Sequence, residues 1–187
     1  SYNPIGSAIN SGSNLGVLGL SHTYFINDRI RIKSTFSVQT TNVSTDVDST
    51  KLRENIFKPW FRSEQTENKL SFSTQFRHKI NAKNNYSIGV IADWYQINYI
   101  DSVFDHDYEK FITTSDIDGN LNLLRAYCQY QHKFNDQFTA YTGIHFQYFG
   151  LNDEMAIEPR VSLKWQVNAK HSFDAGFGMH SQIQPKA

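Results

Sequence analysis

The 187-residue sequence lacks the features that define several common protein classes. Its one cysteine, Cys128, allows neither an internal disulfide nor a cysteine-based metal site. No apolar run approaches the roughly 18 residues of a transmembrane helix. The 18 basic and 18 acidic residues give a formal net charge of zero, so no overall basic field attracts nucleic acid. These absences argue against a helical membrane protein, a disulfide-stabilised domain and a nucleic-acid-binding protein.

With only four prolines, the sequence is dominated by the alternation of apolar and polar residues, which is the period of a β-strand. In the clearest run, residues 68–80, apolar side chains from Leu70 to Ile80 alternate with polar ones from Lys69 to Lys79. About eight such runs occur, at residues 15–25, 29–40, 68–80, 86–99, 121–133, 138–149, 157–167 and 172–182. The sequence therefore predicts an all-β protein.

The connections between these runs alternate between short turns and long loops. The short ones are rich in Asn, Asp or Lys, which tolerate tight-turn backbone angles; they lie at residues 26–28, 81–85, 135–137 and 168–171. The long ones lie at residues 42–66, 100–120 and 150–156. The alternation predicts an antiparallel up-and-down meander with all tight turns at one end. We expect an irregular N-terminal segment at residues 1–14, strands over residues 15–183, and the start of a loop or a truncated end at residues 184–187.

Charged side chains occupy only one side of the predicted strands. We call the apolar side face A and the opposite side face B; the pattern does not assign the facing of residues 15–25. In the other seven strands all charged residues lie on face B, and only His78 and His132 are titratable residues of face A. The charged residues of face B are Arg29, Arg31, Lys33, Lys69, Arg77, Lys79, Asp93, Arg125, Lys133, Glu158, Arg160, Lys164 and Asp174. Soluble sandwiches and barrels also separate two faces in this way.

Further features favour lipid over a protein interior as the neighbour of face A. The predicted strands have about 11 to 14 residues, whereas strands of soluble sheets usually have about 5 or 6 and a tilted transmembrane strand needs about 9 to 11. A cation on a lipid-facing position costs roughly 2–4 kcal/mol at mid-bilayer, and aromatic rings gather at the two membrane interfaces. Large aromatic residues lie toward the ends of face A at Tyr86, Trp94, Phe134, Phe138, Tyr148, Trp165 and Phe173. We therefore expect a transmembrane β-barrel in the outer membrane of a Gram-negative bacterium, in contact with its lipid.

Face B then lines the interior of the barrel. Its charged side chains are too many for the tightly packed interior of a barrel of about eight strands, while barrels of about 22 strands hold a plug. The last residues, Gln184 to Ala187, lack the aromatic strand end expected of a complete outer-membrane barrel. The chain is therefore predicted to be part of a larger barrel. Two alternatives are a complete small outer-membrane barrel with a structural or adhesive role and a soluble secreted β-barrel binding protein.

Three segments, residues 16–25, 157–165 and 175–185, resemble barrel-strand motifs of the TonB-dependent outer-membrane receptors. The resemblance implies a fragment of the C-terminal barrel of such a receptor, without its plug domain. It also implies energy-coupled import of a scarce nutrient, with the plug domain of the same receptor and TonB as partners through the missing N-terminal part. Siderophore, cobalamin, glycan and peptide all remain open as substrates, because periodicity does not determine loop shape.

Three groups of charged residues are candidate binding sites. Near the short-turn end of face B, a basic cluster forms either an anion-attracting vestibule or a complement to an acidic plug surface; its members are Arg29, Arg31, Lys33, Arg77, Lys79 and Lys133. Other interior-facing polar residues are Glu158, Arg160, Lys164, His145 and His180. A loop predicted to face outward carries acidic residues that either bind a cation or cationic ligand or are simply solvated; these are Asp101, Asp105, Asp107, Asp116 and Asp118.

No pattern in the sequence indicates an enzyme, a metal site or a cofactor. Cys128 lies on face A between Ala126 and Tyr130, as a small apolar filler without a predicted catalytic partner. The histidines form no His-x-x-x-His pair, and the sequence contains no Gly-x-Ser-x-Gly elbow. The residues therefore predict a binding and transport function without covalent chemistry.

Overall fold

A computed structural model describes residues 6–51 and 56–181. Their secondary structure consists of β1 Ser7–Asn27, β2 Ile30–Lys51, β3 Ile56–Lys79, β4 Asn84–Asp105, β5 Lys110–Lys133, β6 Phe138–Phe149, β7 Glu154–Gln166 and β8 Ser172–Gly178. The strands form one sheet in which each is hydrogen-bonded to its neighbour in the sequence. The all-β class and the antiparallel up-and-down meander of eight strands are confirmed. No helix among these residues is long and apolar enough to cross a membrane.

Each short turn is closed by an asparagine. The side-chain oxygen of Asn27 accepts hydrogen bonds from the backbone N–H groups two and three residues ahead, at 2.9 and 3.0 Å. The same pair of bonds is made in the other three short turns by Asn81, Asn135 and Asn168. An asparagine closes a turn in this way because its side chain mimics one peptide unit of the turn. The short turns could therefore be located from the sequence alone.

The long loops are shorter, and the strands longer, than the sequence predicts. Residues 42–66 and 100–120, expected as loops, are strand up to Lys51 and Asp105 and strand again from Ile56 and Lys110. The irregular segment predicted at residues 1–14 is wrong for residues 7–14, because β1 begins at Ser7, and residues 1–5 lie outside the described part of the chain. The last strand is shorter than expected and ends at Gly178. Residues 184–187 lie outside the described part of the chain.

Polar pairs across neighbouring strands explain these extensions. The hydroxyl oxygens of Ser11 and Thr45 lie 3.1 Å apart, and the Asn42 side-chain amide donates to the Thr66 hydroxyl at 3.0 Å. Farther along, the Arg62 guanidinium donates to Asp46 at 2.8 Å. Such cross-strand pairs stabilise a sheet. The strands therefore continue through segments in which apolar and polar residues no longer alternate regularly.

The described residues form two compact units, whose boundaries lie inside β1 to β5. Unit 1 contains residues 6–18, 38–51, 56–70 and 94–120, and unit 2 contains residues 19–37, 71–93 and 121–181. The polar extensions belong to unit 1, while all four short turns belong to unit 2.

Unit 2 has little apolar core of its own. The apolar side chains that are buried in the described part of the chain are Leu121 and Leu123, and both lie on face B with Arg125. Face A is open: the side chains of Ile88, Ile144 and Leu163 are 43%, 50% and 52% exposed. Contiguous apolar exposure of this kind marks a surface that contacts a membrane or another protein.

Gly89 in β4 leaves room for the Tyr127 ring in β5. A Cβ atom at Gly89 would overlap that ring, and the Tyr127 hydroxyl is held in place by a 2.6 Å hydrogen bond from Gln75. Gly89→Ala is expected to lower the free energy of unfolding by about 1–3 kcal/mol, the usual cost of overpacking. The measurement is the denaturant midpoint of the full-length protein.

Gly176→Ala is the matched control, because a Cβ at Gly176 would make an ordinary 3.4 Å contact with Ser162. A loss in this control as large as the loss in Gly89→Ala would contradict the steric explanation.

Candidate functional site

The backbone register of unit 2 brings the polar residues of β5 to β8 onto one face. His145 in β6 lies opposite Tyr127 in β5 and Glu158 in β7. Lys164 in β7 lies opposite Thr139 and Asp174. In the first strand, whose facing the sequence leaves open, the Ser21 hydroxyl lies 3.0 Å from that of Thr35, so Ser21 belongs to face B.

Aromatic rings gather on face A beside the short turns of unit 2. Phe138 and Trp165 stack with ring centroids 5.5 Å apart, and Phe173 lies 6.0 Å beyond Trp165. The two histidines of face A belong to similar groups: the His78 ring is 5.3 Å from that of Tyr86, and the His132 ring is 4.6 Å from that of Phe134. Both histidines of face A therefore lie beside aromatic rings at the short-turn end of the strands, where their polar atoms can reach the turns.

Glu158 is the centre of a buried polar cluster on face B. One carboxylate oxygen accepts hydrogen bonds from the backbone N–H and the hydroxyl of Ser181, at 2.7 and 2.6 Å. The other oxygen accepts a 2.6 Å bond from Arg160, whose guanidinium also lies 3.3 Å from His180. His145 Nδ1 lies 3.2 Å from the same oxygen but is not aligned for a hydrogen bond. The structure thus brings together four of the predicted interior residues, while Lys164 lies farther along β7.

A second polar cluster in unit 2 is centred on Asp93. Its side chain is fully buried and accepts hydrogen bonds from Arg125 and Ser71, both at 2.5 Å. The sequence places Asp93 and Arg125 on face B but does not single them out as a site. The sequence does contain an indication of this pair, since an acidic and a basic residue lie on the same face of two neighbouring predicted strands.

The basic cluster is only partly assembled. Arg29, Arg31, Arg77 and Lys79 line one cavity of about 300 Å³ beside the turn between β1 and β2. Lys33 and Lys133 do not line this cavity. The Lys133 backbone N–H instead bonds to the carbonyl of Lys83 at the next short turn.

The acidic residues of unit 1 do not form a loop cluster, contrary to expectation. Asp101 and Asp105 end β4, Asp107 lies in the turn, and Asp116 and Asp118 lie in β5. Among the described residues no group of three or more His, Cys, Asp or Glu side chains could hold a metal ion.

Two of these carboxylates have structural partners. The carboxylate of Asp105 accepts bonds from two N–H groups of its own turn, and Asp101 accepts a 2.7 Å bond from the Tyr99 hydroxyl.

The chemistry available on face B is hydrogen bonding and charge attraction. Its clusters pair carboxylates with guanidinium, imidazole and hydroxyl groups, and Cys128 lies exposed on the opposite face. These groups can hold a charged ligand or a neighbouring polypeptide.

No protein-family model matches the sequence, and no curated protein sequence matches it. Among solved structures, the chain is similar to the open form of the ferric-catecholate import receptor Fiu from E. coli K12. The TM-score is 0.61 over 91% of this chain, with 14% sequence identity. The chain spans 30% of the length of that receptor chain. At this identity the likeness concerns the fold alone, so these strands share the fold of part of an import receptor.

Replacing the Glu158 charge tests the central cluster. Glu158→Gln is expected to lower the free energy of unfolding by about 1.5–3 kcal/mol, the usual contribution of a hydrogen bond to a charged group. The reason is that one amide NH₂ group would face donors that now bond to the carboxylate. The unfolding midpoint of the full-length protein measures the loss, and faster exchange of the Ser181 amide proton locates it.

Glu154→Gln is the control, since Glu154 is an exposed residue at the start of the same strand. Similar losses in both variants would show that Glu158 holds no cluster together.

Proposed function

We propose that these residues are adjacent strands of a larger outer-membrane β-barrel that binds and imports a scarce nutrient. The observation that carries the proposal is the division of unit 2 into an exposed apolar face A and a charged face B. Lipid is the neighbour that suits face A, because it excludes charge and gathers aromatic rings at its interfaces. Face B then lines the interior, where its polar clusters contact ligand, water or a plug domain.

The fold likeness to an import receptor supports the transport part of the proposal. In the described part of the chain β1 and β8 are the two edges of the sheet, which suits a segment flanked by other strands. The proposal includes energy coupling through TonB and a plug domain because three segments of the sequence resemble barrel strands of TonB-dependent receptors. Siderophore, cobalamin, glycan and peptide are the substrate classes to test.

A soluble secreted binding protein is less well supported. A soluble barrel would bury face A in its core, whereas the large apolar side chains of that face are open in unit 2. A complete small barrel would need its first and last strands to pair, and the described strands show no such pairing.

Spin labels test whether face A meets lipid. Labels are attached to cysteines at Ile88, Ile144 and Leu163 of the full-length protein in native outer membranes, after Cys128→Ser. All three are expected to be more accessible to oxygen, which dissolves in hydrocarbon, than to a water-soluble nickel complex. Labels at Gln129 and Gln147 on face B are the controls and are expected to show no lipid contact.

Packed protein neighbours around all three face A labels would contradict the proposed transmembrane barrel. Equal accessibility of these labels to the nickel complex would indicate a soluble protein instead.

Import is tested in a strain that lacks the gene. Growth is compared on limiting iron supplied as siderophore, on cobalamin, on a glycan and on a peptide. We expect a growth defect on one of these sources, restored by the wild-type gene, and a proton uncoupler should abolish accumulation without abolishing surface binding. Normal growth and accumulation on all four nutrient sources would contradict the import function without contradicting the barrel fold.

A further inference from the structure

Four cationic side chains meet at one small cavity on face B of unit 2. Arg29 is the last residue of the turn before β2, Arg31 lies in β2, and Arg77 and Lys79 lie in β3. The cavity has a volume of about 300 Å³ and lies beside the turn that Asn27 closes. Two-residue spacing on each strand points all four side chains to the same face.

The register of β2 and β3 sets these cations directly opposite one another. The Lys79 backbone N–H donates to the Arg29 carbonyl at 2.8 Å, so these two residues face each other. Because the strands are antiparallel, Arg31 then lies opposite Arg77. The same register places Ser34 opposite Thr74, whose hydroxyl oxygens are 3.1 Å apart. Like charges directly opposite each other destabilise a strand pair.

Within the described part of the chain these four side chains form no ion pair. None of them takes part in an ion pair or a side-chain hydrogen bond with residues 6–51 or 56–181. One carboxylate, that of Asp28, lines the same cavity, which leaves a formal charge of +3 there. In the Glu158 and Asp93 clusters, by contrast, the arginine bonds to a buried carboxylate.

A neutral polar group completes the lining. The side-chain oxygen of Asn85 is buried without a hydrogen-bond partner, and Asn85 lines this cavity. A half-turn of the amide would present its NH₂ group as an additional donor. The cavity therefore combines a net positive charge with side-chain N–H donors.

We propose that this cavity binds a multivalent oxyanion of the phosphate type. A phosphate group carries a charge of about −1.5 to −2 and three strong acceptor oxygens, whereas a single carboxylate would neutralise one cation. Guanidinium groups suit this ligand, because their parallel N–H donors match phosphate oxygens in pairs. Free phosphate and a phosphate monoester share this chemistry. The site is formed by residues at the short-turn end of β1 to β4 and does not depend on the proposed import function.

Titration calorimetry of the purified full-length protein tests the proposal with four probes: inorganic phosphate, pyrophosphate, glycerol phosphate and citrate. Saturable binding of phosphate or pyrophosphate is expected, and it should weaken as sodium chloride is raised. Binding of glycerol phosphate would identify a phosphate monoester as a ligand, and its absence would restrict the site to free phosphate. Saturable binding of citrate alone, or of no probe, would overturn the proposal.

Variants separate the site from the general charge of face B. The double variant Arg31→Gln and Arg77→Gln is expected to lower phosphate affinity at least about tenfold, since each lost charged hydrogen bond contributes about 1.5–3 kcal/mol. Lys33→Gln is the matched control, because Lys33 is the next face B residue of β2 but does not line the cavity. An equal loss in Lys33→Gln would overturn the assignment.

Arg77→Glu keeps the test decisive if the double variant folds poorly. It places a carboxylate opposite Arg31, so it should raise the unfolding midpoint and abolish phosphate binding. Unchanged phosphate binding in this folded variant would overturn the proposal.

Discussion

The separation of charge from apolar surface across one sheet is the constraint on which the other features of this chain depend. In unit 2 the side chains of face A are apolar or aromatic and open, while carboxylates and cations share face B. A sheet with two buried apolar side chains cannot derive its stability from a core of its own. Its apolar face needs an apolar neighbour, and lipid is the neighbour we propose.

Face B shows what replaces an apolar core in such a sheet. Buried Asp93 accepts hydrogen bonds from Ser71 in β3 and Arg125 in β5. Buried Glu158 accepts hydrogen bonds from Ser181, which lies beyond β8, and from Arg160, two residues along its own strand. Bonds to an ionised group in a buried position are individually strong, and an unpaired one is costly. The strand pairing is therefore fixed by polar contacts that would be lost if the register shifted by one residue. On the same face, the Tyr127 ring occupies the space that a side chain at Gly89 would need, which further constrains the register of β4 and β5.

The sequence predicted the parts of this structure that obey local rules. Alternation identified the eight strands, and an asparagine marked each short turn because it bonds only to residues two and three positions ahead. The strand extensions could not be predicted, since Asn42 pairs with Thr66 across 24 residues and such polar pairs leave no period-two signal. The partner of Glu158 was hidden for the same reason: Ser181 is 23 residues away. The face on which a side chain lies could be predicted from the local sequence, whereas its contacts with other side chains of that face could not.

At the cavity beside the turn between β1 and β2, like charges face each other, whereas the other charged clusters of unit 2 pair opposite charges. Elsewhere in unit 2 each buried carboxylate has a guanidinium beside it, yet Arg29 faces Lys79 and Arg31 faces Arg77 across one strand pair. Such an arrangement costs stability in the isolated sheet. Sequences that specify one structure break local rules mainly at functional sites. An anion between these strands removes the conflict, because the same four cations that repel one another in its absence become its ligands in its presence.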